Sequence, residues 1–493
     1  MDTDCFSSYS ANIIGRNQTF IAPNGEEKKL VYADWTASGR SYLPIEKILQ
    51  TEFLPFVANT HTDTNTSGSC MTYAYHKAQH LIKQHVNAGK DDILISSNSG
   101  MTGVTNKLQR ILGLRIHEKH QKQIQIAEND RPIIFITHME HHSNHTSWLE
   151  SIGDVEIIAP DNTGLPDLAH FKVLLEKYKS RITKIAAVTS CSNVTGVFTP
   201  YHAMAKLIHQ YNGVCFVDFA CAAPYVDINM HPEDPEAYLD AIYFSPHKFL
   251  GGPGSSGILI FNKRLYSNTI PDEPGGGTVD WTNPWGQHKY IDDIEAREDG
   301  GTPAFLQTIR VALCIQLKEE MGVQRMLEKE EILLDIAWTK LSNIPNLHIL
   351  APHQKKRLAI ISFYIDDLHY NLGVKLLNDK FGIQARGGCS CAGTYGHYLL
   401  NVSEDISKDI TDSISSGDNS KKPGWIRVSL HPTMTAEEVN YISDSIQTLA
   451  EQFPVWANEY TFNRTKNEVF YKDSKEDKFV IDYINTCFSH SMR

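Results

Sequence analysis

Three apolar runs end in residues that can do chemistry: Lys184–Thr189 in Ser190-Cys191-Ser192-Asn193, Val214–Val217 in Asp218, and Ala241–Phe244 in Ser245-Pro246-His247-Lys248. A lysine amine placed just past a strand can condense with an aldehyde. Ser245 and His247 beside it, with Gly251-Gly252 following, can hold a phosphate. Asp218 precedes Lys248 by 30 residues (248 − 218), the length of a strand–helix–strand step. An acid there can pair with a protonated pyridine nitrogen and keep the ring an electron sink. Taken singly, a strand-end lysine is usually solvated and a strand-end aspartate usually caps a turn. In this order and spacing they point to pyridoxal phosphate carried on Lys248 as a Schiff base.

A second cluster, Arg386-Gly-Gly-Cys389-Ser-Cys391-Ala-Gly393, sets two thiols beside a cation in a glycine-rich loop. A partly exposed thiol near positive charge can ionise and attack; glycine-rich packing around a structural cysteine is the plainer alternative. Arg427, in Trp-Ile-Arg-Val-Ser-Leu, offers a guanidinium fork suited to a carboxylate, and Arg386 can assist it. Ser99-Gly-Met101-Thr102-Gly follows one apolar run and opens a helical pattern. Its backbone amides and helix dipole would attract a phosphate, although small residues there also simply cap helices.

The segment His138-Met-Glu-His141-His142-Ser-Asn-His145 invites a metal reading. The run before it ends as a strand at Thr137, so the histidines start at a turn, and no metal is expected. Gly252-x-Gly254-x-x-Gly257 matches a dinucleotide fingerprint but precedes a strand instead of opening a helix, which rules that reading out.

These residues need a frame. Short apolar strands are predicted over 92–96, 132–137, 155–158, 184–189, 214–218, 241–244 and 257–261, with helical periods between several of them, as in 201–211. Such alternation gives an α/β fold with a mainly parallel sheet. We expect a polar N-terminal segment (1–30, with a hairpin turn at Asn24-Gly25), a large domain over 31–310, a smaller α+β domain over 311–456 and a tail over 457–493. Residues 32–72 read as loops around one short helix, 271–286 as a Gly/Pro/Trp-rich loop, 302–341 as long helix, and the polar insert 403–422 as a loop. The tail suggests no role.

The 493 residues suffice for a large core. A net charge of −12 argues against nucleic acid or an anionic membrane as main partner. No apolar run is long enough to span a bilayer. The nine scattered cysteines suit a reducing compartment, read as cytoplasm.

On these residues the chain resembles class V aminotransferases, and among them cysteine desulfurases and selenocysteine lyases. The resemblance runs from Tyr32-Ala-Asp34 to about Pro432 and is carried by Val-Asp-Phe-Ala-Cys-Ala (217–222) and Ser-Pro-His-Lys (245–248). It implies the type I fold of pyridoxal-phosphate enzymes, with Lys248 as Schiff-base lysine and Asp218 at the pyridine nitrogen. His141 would stack on the ring. Met101, Thr102, Ser245 and His247 would hold the phosphate, and Asn193 would lie near the cofactor. Thr302, in Gly300-Gly-Thr-Pro303, would reach the neighbouring subunit's phosphate in a homodimer. Arg427 and Arg386 would bind the substrate carboxylate, and Cys391, not Cys389, would carry a persulfide.

The expected activity is removal of sulfur or selenium from L-cysteine or L-selenocysteine, leaving alanine, with a sulfur-acceptor protein as a further partner. Two features depart from the pattern. Cys221 stands where desulfurases have a glutamine that bonds the cofactor's phenolic oxygen, and the insert before Arg427 is long. The rivals are a class V transaminase, lyase or epimerase without a cysteine nucleophile, and a histidine-rich scaffold without this chemistry.

Overall fold

The structure, a computed structural model, describes residues 5–60, 62, 64–97, 99–121, 123–472 and 478–490. The chain divides into two compact units: residues 37–192 with 197–326, and residues 1–36 with 193–196 and 327–493.

The first unit is built on seven strands: β1 (Asp92–Ser97), β2 (Ile133–Thr137), β3 (Asp154–Ile158), β4 (Lys184–Thr189), β5 (Val214–Asp218), β6 (Ala241–Phe244) and β7 (Gly257–Asn262). Their spatial order is β1-β7-β6-β5-β4-β2-β3. Strands β2 to β6 pair in parallel, and β7 runs antiparallel to both β1 and β6. Every residue of β2, β4 and β6 is buried, as expected of a sheet covered on both faces. Helices α1 (Thr66–His85), α2 (Gly100–Ile111), α3 (Leu168–Lys177) and α4 (Tyr201–His209) lie between strands or ahead of them. Val104, Leu108 and Ile111 of α2 pack with Trp148, Phe216 and Tyr243 in the core.

Four sequence expectations need correction. The long helix is two, α5 (Phe305–Met321) and α6 (Val323–Leu341), broken at Gly322, whose φ of 80° no helix interior accommodates. The Gly/Pro/Trp-rich loop contains a strand, Val279–Thr282, which pairs with His288–Tyr290. The 32–72 stretch holds more helix than expected: Leu43–Ile48 continues into a wider turn over Leu49–Phe53. The polar insert is helical over Glu404–Ser415, because Ser403 caps the Ile406 amide and two acids follow in the first turn.

The second unit carries an antiparallel sheet of β8 (Leu347–Ile349), β9 (Ile360–Ile365), β10 (Arg386–Gly388) and β11 (Trp425–Ser429), in the order β8-β9-β11-β10. Its helices are α7 (Tyr370–Phe381), α8 (Gly393–Leu399), α9 (Glu404–Ser415) and α10 (Ala436–Trp456). The N-terminal hairpin, Thr19–Ile21 against Glu27–Lys29, turns at Gly25 (φ 85°). The tail forms a second hairpin, Tyr460–Asn463 against Glu468–Tyr471, and this hairpin braces α7. Tyr460 donates to Asp379 at 2.9 Å, and Asn467 donates to the Tyr370 hydroxyl at 2.8 Å. Among the described residues, no helix is long and apolar enough to cross a membrane.

Candidate active site

In the first unit the strand ends bring the cofactor candidates together. Asp218 closes β5, buried, with Oδ1 accepting the Ala220 amide at 2.7 Å. Burial pushes its carboxyl up to about 6, while that hydrogen bond and the nearby Lys248 ammonium pull it down. Lys248 ends a short turn, Pro246–Lys248, that follows β6 directly, and its amide donates to the Ser245 carbonyl. His247 is pushed down to about 4, by burial first and Lys248 second, and is therefore a neutral imidazole at neutral pH.

Ser245 accepts the Met101 amide at 2.8 Å, tying β6 to the first turn of α2. Thr102, one residue on, shares a hydrogen bond of 2.7 Å with Ser143. This close approach needs Gly257, because a Cβ there would lie 2.2 Å from the Gly100 carbonyl oxygen. His141 caps the turn after β2, its Nδ1 accepting the Ser143 amide at 3.1 Å; the neutral ring then carries its proton on Nε2. Thr302 stands exposed just past Gly301 (φ 85°).

Two supports in this unit were not legible in the sequence. Glu140, hidden in the histidine run, accepts from Thr137 Oγ1 at 2.6 Å, Asn144 Nδ2 at 2.7 Å and the Thr189 amide at 2.8 Å. Asn144 Oδ1 in turn accepts from Tyr243 and Trp148. This hub fixes the turn that presents His141. Lys318 of α5, only 3 % exposed, donates to the Ala223 and Val226 carbonyls and braces the loop after Asp218. In that loop Cys221 is buried, its thiol 3.7 Å from the Ser192 carbonyl oxygen.

The second unit gathers Asn193, Arg386, Cys391 and Arg427. Arg427 of β11 is 1 % exposed; its Nη2 donates to Asp34 at 2.7 Å and its Nη1 to the Asn193 carbonyl at 2.9 Å. Asp34 is delivered by a segment lying along β11, where the Ser429 amide bonds the Ala33 carbonyl and the Thr36 amide bonds Ser429 Oγ. Arg386 pairs in register with Arg427 across β10 and β11, so the two side chains share a sheet face.

Past β10 the chain makes a tight turn. The Ala392 amide donates to the Cys389 carbonyl at 2.9 Å, and Ser390 and Cys391 between them have φ of 51° and 57°. Left-handed backbone costs a residue with a Cβ about 1–2 kcal/mol. The Asn193 side-chain amide holds the turn by donating to the Ser390 carbonyl at 2.7 Å. Cys391 is exposed, and all nine cysteines are free of disulfides. The expected glycine-rich loop thus closes at a strained turn. His397 of α8 bonds Ser407 of α9 at 2.9 Å, so the insert also braces the helix that follows this turn.

Asn193, expected beside the cofactor, bonds Ser390 through its side-chain amide and Arg427 through its carbonyl. Among the described residues no group of three or more His, Cys, Asp or Glu is placed to hold a metal ion.

A sequence model of the class-V aminotransferases matches residues 31–442. The chain belongs to the aminotransferase class-V family. Enzymes of this family depend on pyridoxal phosphate, and a buried carboxylate one strand away from an amine fits that cofactor. Curated relatives include probable cysteine desulfurases of Staphylococcus aureus and Staphylococcus epidermidis. Each is 26 % identical and aligns over 81 % of this chain and 95 % of the relative. Among solved structures, a cysteine desulfurase from Thermococcus onnurineus superposes with a TM-score of 0.72 at 21 % identity, covering 90 % of this chain and 98 % of the other. The Escherichia coli cysteine desulfurase CsdA gives 0.66 at 20 %, covering 86 % and 95 %. This class-V chain therefore has the type I fold of pyridoxal-phosphate enzymes.

Proposed function

We propose that this class-V enzyme removes sulfur from L-cysteine, or selenium from L-selenocysteine, through a persulfide on Cys391, leaving alanine. The observation that carries the reading is the hydrogen-bonded set Arg427–Asn193–Ser390, which links a buried arginine to the turn presenting an exposed thiol.

Bound pyridoxal phosphate supplies an aldehyde to capture the amine and a ring that accepts electrons from Cα. Lys248 would hold it covalently, and its amine would move the Cα proton as general base. Asp218, ionised, would hold a proton on the pyridine nitrogen, and His141 would support the ring. The Met101 and Thr102 turn, Ser245 and His247 bind the phosphate, joined by Thr302 from a second subunit in a homodimer. Arg427, aided by Arg386, orients the substrate carboxylate. The Cys391 thiolate then attacks the substrate sulfur and keeps it as a persulfide; the Cβ–S electron pair passes to Cβ, and protonation at Cβ with return of a proton to Cα gives alanine. The nine free cysteines support a reducing cytoplasmic setting in which a protein thiol takes the sulfur onward.

The test is incubation with L-cysteine and a reductant. Formation of alanine and sulfide, with sulfide lost in Cys391→Ala, is expected; absence of both products overturns the reading. Cys221 at the usual glutamine position favours a second reading, a transaminase, lyase or epimerase that needs no thiol. Amino exchange with a keto acid, unaffected by Cys391→Ala, would establish it.

A further inference from the structure

The turn that presents Cys391 carries a second thiol, and its geometry is unusual for its residues. Both central positions, Ser390 and Cys391, have positive φ, and the Ala392 amide closes the turn on the Cys389 carbonyl. A turn of this kind normally takes asparagine or glycine at those positions. Glycines flank the turn at 387, 388 and 393, yet serine and cysteine occupy the strained places.

Turning the chain here has a chemical consequence. Two virtual bonds meeting near a right angle set the Cα atoms of residues i and i+2 about 5.5 Å apart, against about 7 Å in an extended strand. The former lies inside the range a disulfide spans, and the latter lies outside it. Cys391 is exposed, and Cys389 is half-buried and close to Tyr370. Ser390 between them is buried and held by Asn193, so the turn keeps its shape.

We propose that Cys389 is a resolving thiol for the persulfide on Cys391. The inference rests on the desulfurase reading for the origin of that persulfide. The Cys389 thiolate attacks Sγ of Cys391, forming a Cys389–Cys391 disulfide as the bond from Sγ to the outer sulfur breaks. The outer sulfur takes the electron pair and leaves as hydrosulfide, and the proton lost by Cys389 goes to solvent. The persulfide is itself the oxidant, so no external one is consumed. Each turnover without an acceptor or reductant therefore ends in released sulfide and a closed turn, which a dithiol reductant must reopen.

The experiment uses the full-length holoenzyme with L-cysteine and no reductant, then acid quench, thiol alkylation and mass analysis of the tryptic peptide 387–408. Wild type is expected to show this peptide two hydrogens lighter and unalkylated, with one sulfide released per alanine. In Cys389→Ser the peptide should instead keep one added sulfur, and sulfide should appear only when dithiothreitol is added. A wild-type peptide that keeps its added sulfur as long as the Cys389→Ser peptide overturns the proposal. A second arm loads Cys391 with inorganic polysulfide, which needs no catalysis. Disulfide in wild type but persulfide in Cys389→Ser supports the resolving step even if L-cysteine yields no alanine, an outcome that removes only the desulfurase reading. Identical products in both proteins sink the resolving step alone.

Discussion

The side-chain amide of Asn193 donates to the Ser390 carbonyl at 2.7 Å, joining residues 197 positions apart in sequence. Because the Asn193 carbonyl also accepts from Arg427, one residue holds both the thiol's turn and the buried Arg427 guanidinium.

Replacing Asn193 by alanine removes a bond worth about 1 kcal/mol net from a turn that is already strained at two positions. The turn should relax, and sulfide formation from L-cysteine should fall about fivefold. Asn193→Asp, the same size but unable to donate, should lose as much. Unchanged steady-state rates in both variants would remove Asn193 from the positioning of Cys391.

Arg427 owes its orientation to Asp34 and the Asn193 carbonyl. Lysine cannot reproduce the planar fork, so Arg427→Lys should lower kcat/KM for the amino acid by roughly 30-fold, a loss of about 2 kcal/mol in charge-assisted hydrogen bonding. Asp34→Asn should lower it less, mainly through KM. An equal kcat/KM in the Arg427→Lys enzyme would argue that the carboxylate binds elsewhere.

Cofactor affinity should depend on the ionisation of Asp218. Its carboxyl is raised to about 6, so below that pH it is protonated and can no longer pair with a pyridinium. Pyridoxal-phosphate binding to the apoenzyme, followed by absorbance, should weaken as pH falls from 7 to 5. Asp218→Asn should bind weakly across the whole range, and a wild-type affinity flat over that interval would contradict this account.

Lys318, shifted in the other direction, gives a prediction of stability that also rises with pH. Burial lowers its amine to about 7 from 10.5, so between these values the unfolded chain holds the proton that the folded chain has released. Stability therefore rises with pH across that window. Thermal melts should show wild type gaining stability from pH 7 to pH 9 relative to Lys318→Met. Parallel melting curves for the two proteins would mean that the buried amine stays charged.

The sequence alone determined the seven strands of the large sheet, because each is a short apolar run bounded by turn residues. It also determined that Asp218 ends one strand and that Lys248 closely follows the next, since the place where an apolar run stops is a local property. The capped helix Glu404–Ser415 was equally local, signalled by Ser403 and the acids after it, but the low hydrophobicity of the insert hid it. Only the tertiary structure decided that Asp34 meets Arg427, that Glu140 gathers donors from two strands, and that Asn193 serves the Ser390 turn. Periodicity and capping act over a few residues. A buried charge finds its partner only when packing brings together segments hundreds of positions apart, and no local pattern encodes that choice.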